Sequence, residues 1–165
     1  MLDPTKRDGL KVGDAHFLEI IDKYGWHVMS VAPRTDSADK QEWFSYSTGL
    51  FRAFSRPEII VFGLDANTGR AIVNEIGNAM QGGRTFELDA DYIDIFADDL
   101  KCRFRAVHLC QYGEYVGWSQ WFYEGNDFPV WQCFWPDKEG NYPWEAGCNT
   151  EVSRLQPLLY LPARE

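Results

Sequence analysis

The order of apolar and polar residues divides the chain into short segments of different period. In "AHFLEIIDKY", Phe17, Leu18, Ile21 and Tyr24 share one helical face, with Asp14 placed to cap it and Gly25 to stop it. "WHVMSVA" reads as a strand closed by Pro33, and the polar "RTDSADKQE" as a surface loop. "WFSYSTGL" and "EIIVFGL" are two β-rich runs around a basic-aromatic connection, "FRAFSRP". The second run is continuously apolar, which predicts a central strand covered on both faces. "TGRAIVNEIGNAMQ" returns to the helical period. Ile72, Val73, Ile76 and Met80 share its face, Asp65 or Asn67 can cap it, and Gly82-Gly83 ends it. Gly77 inside that helix marks a place of close packing.

The second half is less regular. "RTFEL" predicts a short strand, and "DADYIDIFADDL" a solvated acidic loop. That loop lacks the ordered ligand spacing and the fixed glycine of a calcium loop. In "KCRFRAVH", Cys102, Phe104, Ala106 and His108 fall on one side of a strand and Lys101, Arg103, Arg105 and Val107 on the other. The basic side can neutralise the acidic loop before it. "GEYVGWSQWFYEG" predicts a short helix carrying Tyr115, Trp118 and Phe122. "PVWQCFW" and "YPWE" read as the arms of a hairpin joined by "PDKEGN", where Gly140-Asn141 suits a turn. "LQPLLYLP" is an apolar tail expected to dock. Helices and strands do not alternate regularly. The expected fold is therefore α+β: one domain over 1–165, a mixed, mostly antiparallel sheet and two to three packed helices, with 1–12 as a flexible segment.

Composition changes this picture in three ways. An apolar content of 45 % is enough for a folded core. A net charge of −9 argues against a broad phosphate-tracking surface and against anionic membranes, so neither nucleic acid nor membrane is expected as a partner. The opening "MLDPTKRDGLKVGD" has no apolar core of the signal-peptide kind, which gives a cytoplasmic expectation. Cys102, Cys110, Cys133 and Cys148 are then reduced thiols. With no C-x-x-C pair among them, no metal is expected.

Catalytic patterns are sparse. There is no G-x-S-x-G elbow, and His16, His27 and His108 show no metal-ligand spacing. His108 shares a strand side with Phe104 and reads as a core histidine. "GLDANTG" enters a helix from a strand, a suitable place for an anion, but it carries neither a P-loop lysine nor G-x-G-x-x-G. No cofactor is expected, and the enzyme question leans towards no. What stands out is the density of aromatics between Tyr112 and Trp144. Trp131 and Trp135 fall on the opposite side of a strand from Phe134. Such two-faced aromatics need either double cover or a partner.

Four segments carry a resemblance: "GWHVMSV" at 25–31, "FSYSTGL" at 44–50, "PEIIVFGL" at 57–64 and "FPVWQCFWPDKEGNYPWE" at 128–145, with "QPLL" closing at 156–159. On these the chain resembles the bacterial domain-of-unknown-function family 4262 over nearly its whole length. The resemblance implies no activity, cofactor or catalytic residue. "YSTGL", "PEIIVFGL" and "GRAIVNEIGNAMQGGRTF" are also similar in order to suppressor-of-fused-like domains, which implies an α+β protein-binding scaffold of the kind found among immunity proteins.

The reading from sequence is a bacterial-type, non-catalytic protein-binding module, immunity- or defence-associated. Its expected partner is a toxin, a defence component or a second copy of itself. The expected contact residues are Trp131, Trp135, Tyr142 and Trp144, with Asp137, Glu139 and Glu145 as a polar rim. The alternative is a small-molecule or nucleotide pocket near the "SYSTG" strand, lined by His27, Tyr46, Thr48 and Arg105.

Overall fold

The computed structural model describes residues 12–33 and 42–163. Along the chain run α1 (Val12–Tyr24), β1 (His27–Val31), β2 (Phe44–Thr48), α2 (Leu50–Phe54), β3 (Glu58–Phe62) and α3 (Ala66–Gln81). Two short 3-10 turns lie in the second half, which otherwise consists of β4 (Arg103–Ala106), α4 (Tyr112–Tyr115), α5 (Gly117–Tyr123), β5 (Val130–Phe134) and α6 (Thr150–Leu155). The strands form one sheet in the order β1-β2-β3-β5-β4. Its neighbours are antiparallel except β3 and β5, which run parallel. The α+β class, the single domain and the mixed sheet agree with the sequence pattern. Of the six α-helices among the described residues, α1 and α3 are long, while the other four have between 4 and 7 residues.

Every residue of β3 is buried, as its unbroken apolar run requires. Ile59 and Val61 face α3, packing with Trp26, Val73, Ile76, Phe104 and Cys133. Ile60 and Phe62 face the opposite layer of Phe44, Tyr46, Tyr112, Phe128 and Leu159. Phe17, Leu18 and Ile21 of α1 close a third cluster against Phe122. The sheet thus lies between α3 on one side and α4, α5 and the docked C-terminal tail on the other.

Local chemistry sets the ends of these elements. The Asp65 carboxylate accepts from the Thr68 N–H at 2.8 Å and caps α3. Gly25, at φ +97°, ends α1. Gly77 is where α3 meets the indole of Trp26: a Cβ there would lie 2.9 Å from its ring carbons. Close approach, expected from the glycine, is what lets α3 sit flat over β1 and β2.

Glu58 begins β3 as a fully buried carboxylate. Ser47 Oγ and the Leu50 N–H donate to its Oε1 at 2.9 and 3.0 Å. The Gly49 N–H and the Tyr123 hydroxyl donate to Oε2 at 2.8 and 2.7 Å. One side chain therefore ties together β2, the start of α2, and α5. Burial pushes its carboxyl above the ordinary value, against the pull of those four donors.

Four expectations change. The second arm of the predicted hairpin forms no strand, because Tyr142 and Trp144 fold down over the basic side of β4 instead of pairing with β5. "RTFEL" contributes only a single bridge, Leu88 to Phe104. The strand at β4 stops at Ala106, so His108 is exposed rather than core, and its Nδ1 accepts from the Cys110 N–H at 3.2 Å. Tyr24 is 57 % exposed, since the apolar stripe of α1 is satisfied by the three residues before it. The predicted loop at 34–42 lies outside the described residues apart from Glu42, and so do residues 1–11 of the expected N-terminal segment.

Candidate functional site

Folding draws the aromatic segment inward. Tyr142 is completely buried and stacks on Trp144, the ring centroids 4.9 Å apart and the planes 4° from parallel. Beneath them the guanidinium of Arg103 lies 4.8 Å from the Tyr142 ring, and that of Arg105 3.7 Å from the Trp144 ring. Tyr160 of the tail covers Arg105 from another side at 4.6 Å. The acidic loop completes the arrangement. Asp91 pairs with Arg103 at 2.9 Å and Asp89 with Arg105 at 2.8 Å, and Asp91 also accepts from the Tyr142 hydroxyl at 2.9 Å. The basic side of β4 does neutralise that loop, as the alternation implied.

The other expected contact residues are mixed in exposure. Trp131 and Trp135 are half-buried, packed against the α3-side core, and Trp135 Nε1 donates to the Phe62 carbonyl at 2.9 Å. Asp137 is only 4 % exposed and organises its turn, accepting from the N–H groups of Glu139, Asn141 and Asn149. Glu139 and Glu145 are exposed, and Glu145 also accepts from the Tyr142 N–H at 2.7 Å.

Nor does the alternative set converge. His27 lies opposite Thr48 in the sheet register, but Thr48 is buried and hydrogen-bonded to Ser119. Tyr46 is buried too, its hydroxyl accepting from the Trp118 N–H at 3.3 Å, and burial raises its pKa to about 12. Arg105 sits on β4, at the other end of the sheet from β1. The anion position at the start of α3 is filled by the chain's own Asp65 carboxylate.

Of these candidates His27 opens onto a large cavity. The cavity measures about 740 Å³ and lies between α1 and α3, beside β1. From α1 come His16, Ile20, Lys23 and Tyr24, spaced to share a face. Arg70, Asn74, Asn78 and Gln81 form the facing row on α3, and Trp26, His27 and Val28 lie between the rows. The Trp26 indole N–H donates to Asn74 Oδ1 at 3.0 Å, which fixes that wall. The His27 ring packs edge-on to Phe17, centroids 4.9 Å apart. Its Nδ1 is buried with no hydrogen-bond partner among the described residues. Burial lowers its pKa, and the positive charges of His16 and Arg70 lower it further. Among the described residues, no acidic residue lines the cavity.

Comparison with known proteins places the chain. A family model, Domain of unknown function (DUF4262), matches residues 20–149. The chain belongs to the DUF4262 family. That span contains β1 to β5 and every lining residue of the cavity except His16. No curated protein and no solved structure matches, so the similarity to suppressor-of-fused-like domains gains nothing beyond its sequence pattern. No helix among the described residues is long and apolar enough to cross a membrane.

Sequence reasoning named His27 but missed its companions. The row Arg70, Asn74, Asn78, Gln81 was visible as the polar face of an amphipathic helix. A polar face normally meets only water. That this one meets the mixed row of His16, Ile20, Lys23 and Tyr24 from α1 depends on where the two helices dock.

Proposed function

We propose that this DUF4262 protein binds a small anionic molecule in the cleft between α1 and α3. The observation that carries the reading is electrostatic inversion. The chain holds 25 acidic against 16 basic residues, yet the cleft gathers Lys23, Arg70, His16 and His27 and, among the described residues, no carboxylate. Like charges drawn together in a cavity repel one another, and a bound anion relieves that cost. The volume falls in the range of ligand pockets, and Ile20, Tyr24, Trp26 and Val28 supply apolar surface for the rest of such a molecule. Thermal-shift screening with nucleotides, flavins, organic acids and neutral analogues at constant ionic strength tests it. Anions should raise Tm in the parent and not in Arg70→Glu. A flat screen, or an anion response that survives Arg70→Glu unchanged, rejects the cleft.

The protein-partner reading, a toxin, a defence component or a second copy, keeps one supporting observation: Trp131, Trp135 and Trp144 are half-buried rather than enclosed. Tyr142 no longer belongs to that surface. Alanine at Trp135 should abolish partner capture in a variant that still folds, if that surface is used.

A further inference from the structure

We infer that a second cavity, between α1 and α5, binds a small quaternary ammonium compound. The cavity measures about 360 Å³ and is lined by Asp14, Gly117, Trp118 and Trp121. It shares no described lining residue with the cleft between α1 and α3, so the inference stands apart from the anion-binding reading. Sequence spacing explains how it forms. Asp14 and Phe17 are three apart on α1, and Trp118 and Trp121 are three apart on α5, so each pair shares a helix face. Phe17 is buried and packs on both indoles, its centroid 4.9 Å from that of Trp118 and 6.2 Å from that of Trp121. The backbone N–H of Trp118 donates to the Tyr46 hydroxyl at 3.3 Å, which ties the start of α5 to the sheet. The two indoles, centroids 5.7 Å apart, stand at 78° to each other. Ring surface at two orientations therefore bounds the cavity.

Indole is the aromatic side chain that attracts cations most strongly, because negative potential lies over its face. The charge at the site has the same sign. Among the described residues Asp14 is the one charged side chain lining the cavity, and no ion pair among them includes it. Its side chain is half-buried, as are both tryptophans. A cation here gains from the rings and relieves a carboxylate partly withdrawn from water. A primary ammonium holds its water tightly. A quaternary ammonium gives its water up more readily and presents methyl groups to the rings. The volume takes in a molecule of the size of choline whole. Gly117 leaves one side open, since a Cβ there would meet nothing within 4 Å.

The test is a heteronuclear NMR titration of the full chain that follows its seven indole N–H signals, those of Trp118 and Trp121 assigned through phenylalanine variants. The probes are tetramethylammonium, choline, ethanolamine and neopentylcarbinol, the neutral carbon isostere of choline, at fixed ionic strength. Tetramethylammonium and choline should shift the Trp118 and Trp121 signals to saturation. They should bind at least about tenfold more tightly than ethanolamine or neopentylcarbinol. Asp14→Asn should weaken choline binding by roughly three- to fivefold, as loss of one partly exposed charge implies. Gly117→Lys, which sets a cation at the open side, should abolish it. Neopentylcarbinol binding as tightly as choline makes the cavity a merely apolar hollow and overturns the inference, and ethanolamine doing so overturns the quaternary assignment. Choline affinity unchanged in Asp14→Asn and Gly117→Lys, with circular dichroism showing both folded, overturns it too, as does the absence of any shift at the two indoles. Sedimentation with phosphatidylcholine vesicles that free choline fails to compete away gives the group to a lipid and overturns the small-molecule assignment.

Discussion

Replacing Glu58 by glutamine probes the buried carboxylate where β2, α2 and α5 meet. Each oxygen accepts two hydrogen bonds: Oε1 from Ser47 and Leu50, Oε2 from Gly49 and Tyr123. An amide nitrogen in place of either oxygen sets new donors against existing ones. The hydroxyl on that side, Ser47 or Tyr123, can turn and accept. The backbone N–H of Leu50 or Gly49 cannot, and is left buried without an acceptor. One such orphan costs about 1–3 kcal/mol, so the expected loss is about 2 kcal/mol. For a chain of 165 residues this lowers Tm by roughly 4–8 °C. The pH dependence has a definite sign. Burial raises the folded carboxyl above its unfolded value, so the parent is most stable below the unfolded value and loses stability as pH rises through the folded one. Glutamine does not titrate, and the gap between variant and parent should therefore narrow as pH rises. Urea unfolding at pH 5 and pH 8, read as midpoint at constant slope, measures both effects. A variant as stable as the parent at both pH values, or a gap that widens with pH, refutes the reasoning.

Other outcomes follow from geometry already described. Gly49 stands at φ +121°, and a Cβ there would fall 2.3 Å from the Gly25 carbonyl oxygen. Gly49→Ala should therefore cost about 3 kcal/mol or more in urea unfolding. At β4, Arg105→Ala loses the stack between Trp144 and Tyr160 and should cost about 1–2 kcal/mol, with a change in tryptophan emission. Asp89→Asn removes only an exposed ion pair from the same arginine and should cost under about 1 kcal/mol, which separates stacking from pairing. The depressed pKa of His27 gives stability that is present above about pH 6.5 and is lost as pH falls through the folded value. Melting curves from pH 7.5 down to 5 should show this slope, smaller in His27→Gln.

How far the sequence could be read depended on whether a segment's partner lay nearby. β3 was legible because its unbroken apolar run leaves no face for water. α3 was legible to within two residues at its start and at its end, with Asp65 one of the two caps expected and Gly77 at the close contact, because caps and contact glycines are local signals. The region from Asp137 to Trp144 was not. Its turn residues do make a turn, but the aromatics after it pack on Arg103 and Arg105, more than 30 positions back in sequence. A hairpin is the shortest-range answer to such a pattern, and cation-π stacking across the sheet prevailed. The cleft was illegible for the same reason, since each of its rows alone is an ordinary helix surface.

The parallel pairing of β3 with β5 has a consequence for the time order of folding. β1, β2 and β3 are sequential antiparallel neighbours, and α3 follows them directly, so this half can assemble from contacts close in sequence. β4 is made before β5 but joins the sheet only through it. During synthesis β4 must therefore wait, and the open side of β3 with it, until the ribosome has released the chain through Phe134. The cleft between α1 and α3 belongs wholly to the early half. It can be shaped while the aromatic cover on the far side of the sheet does not yet exist.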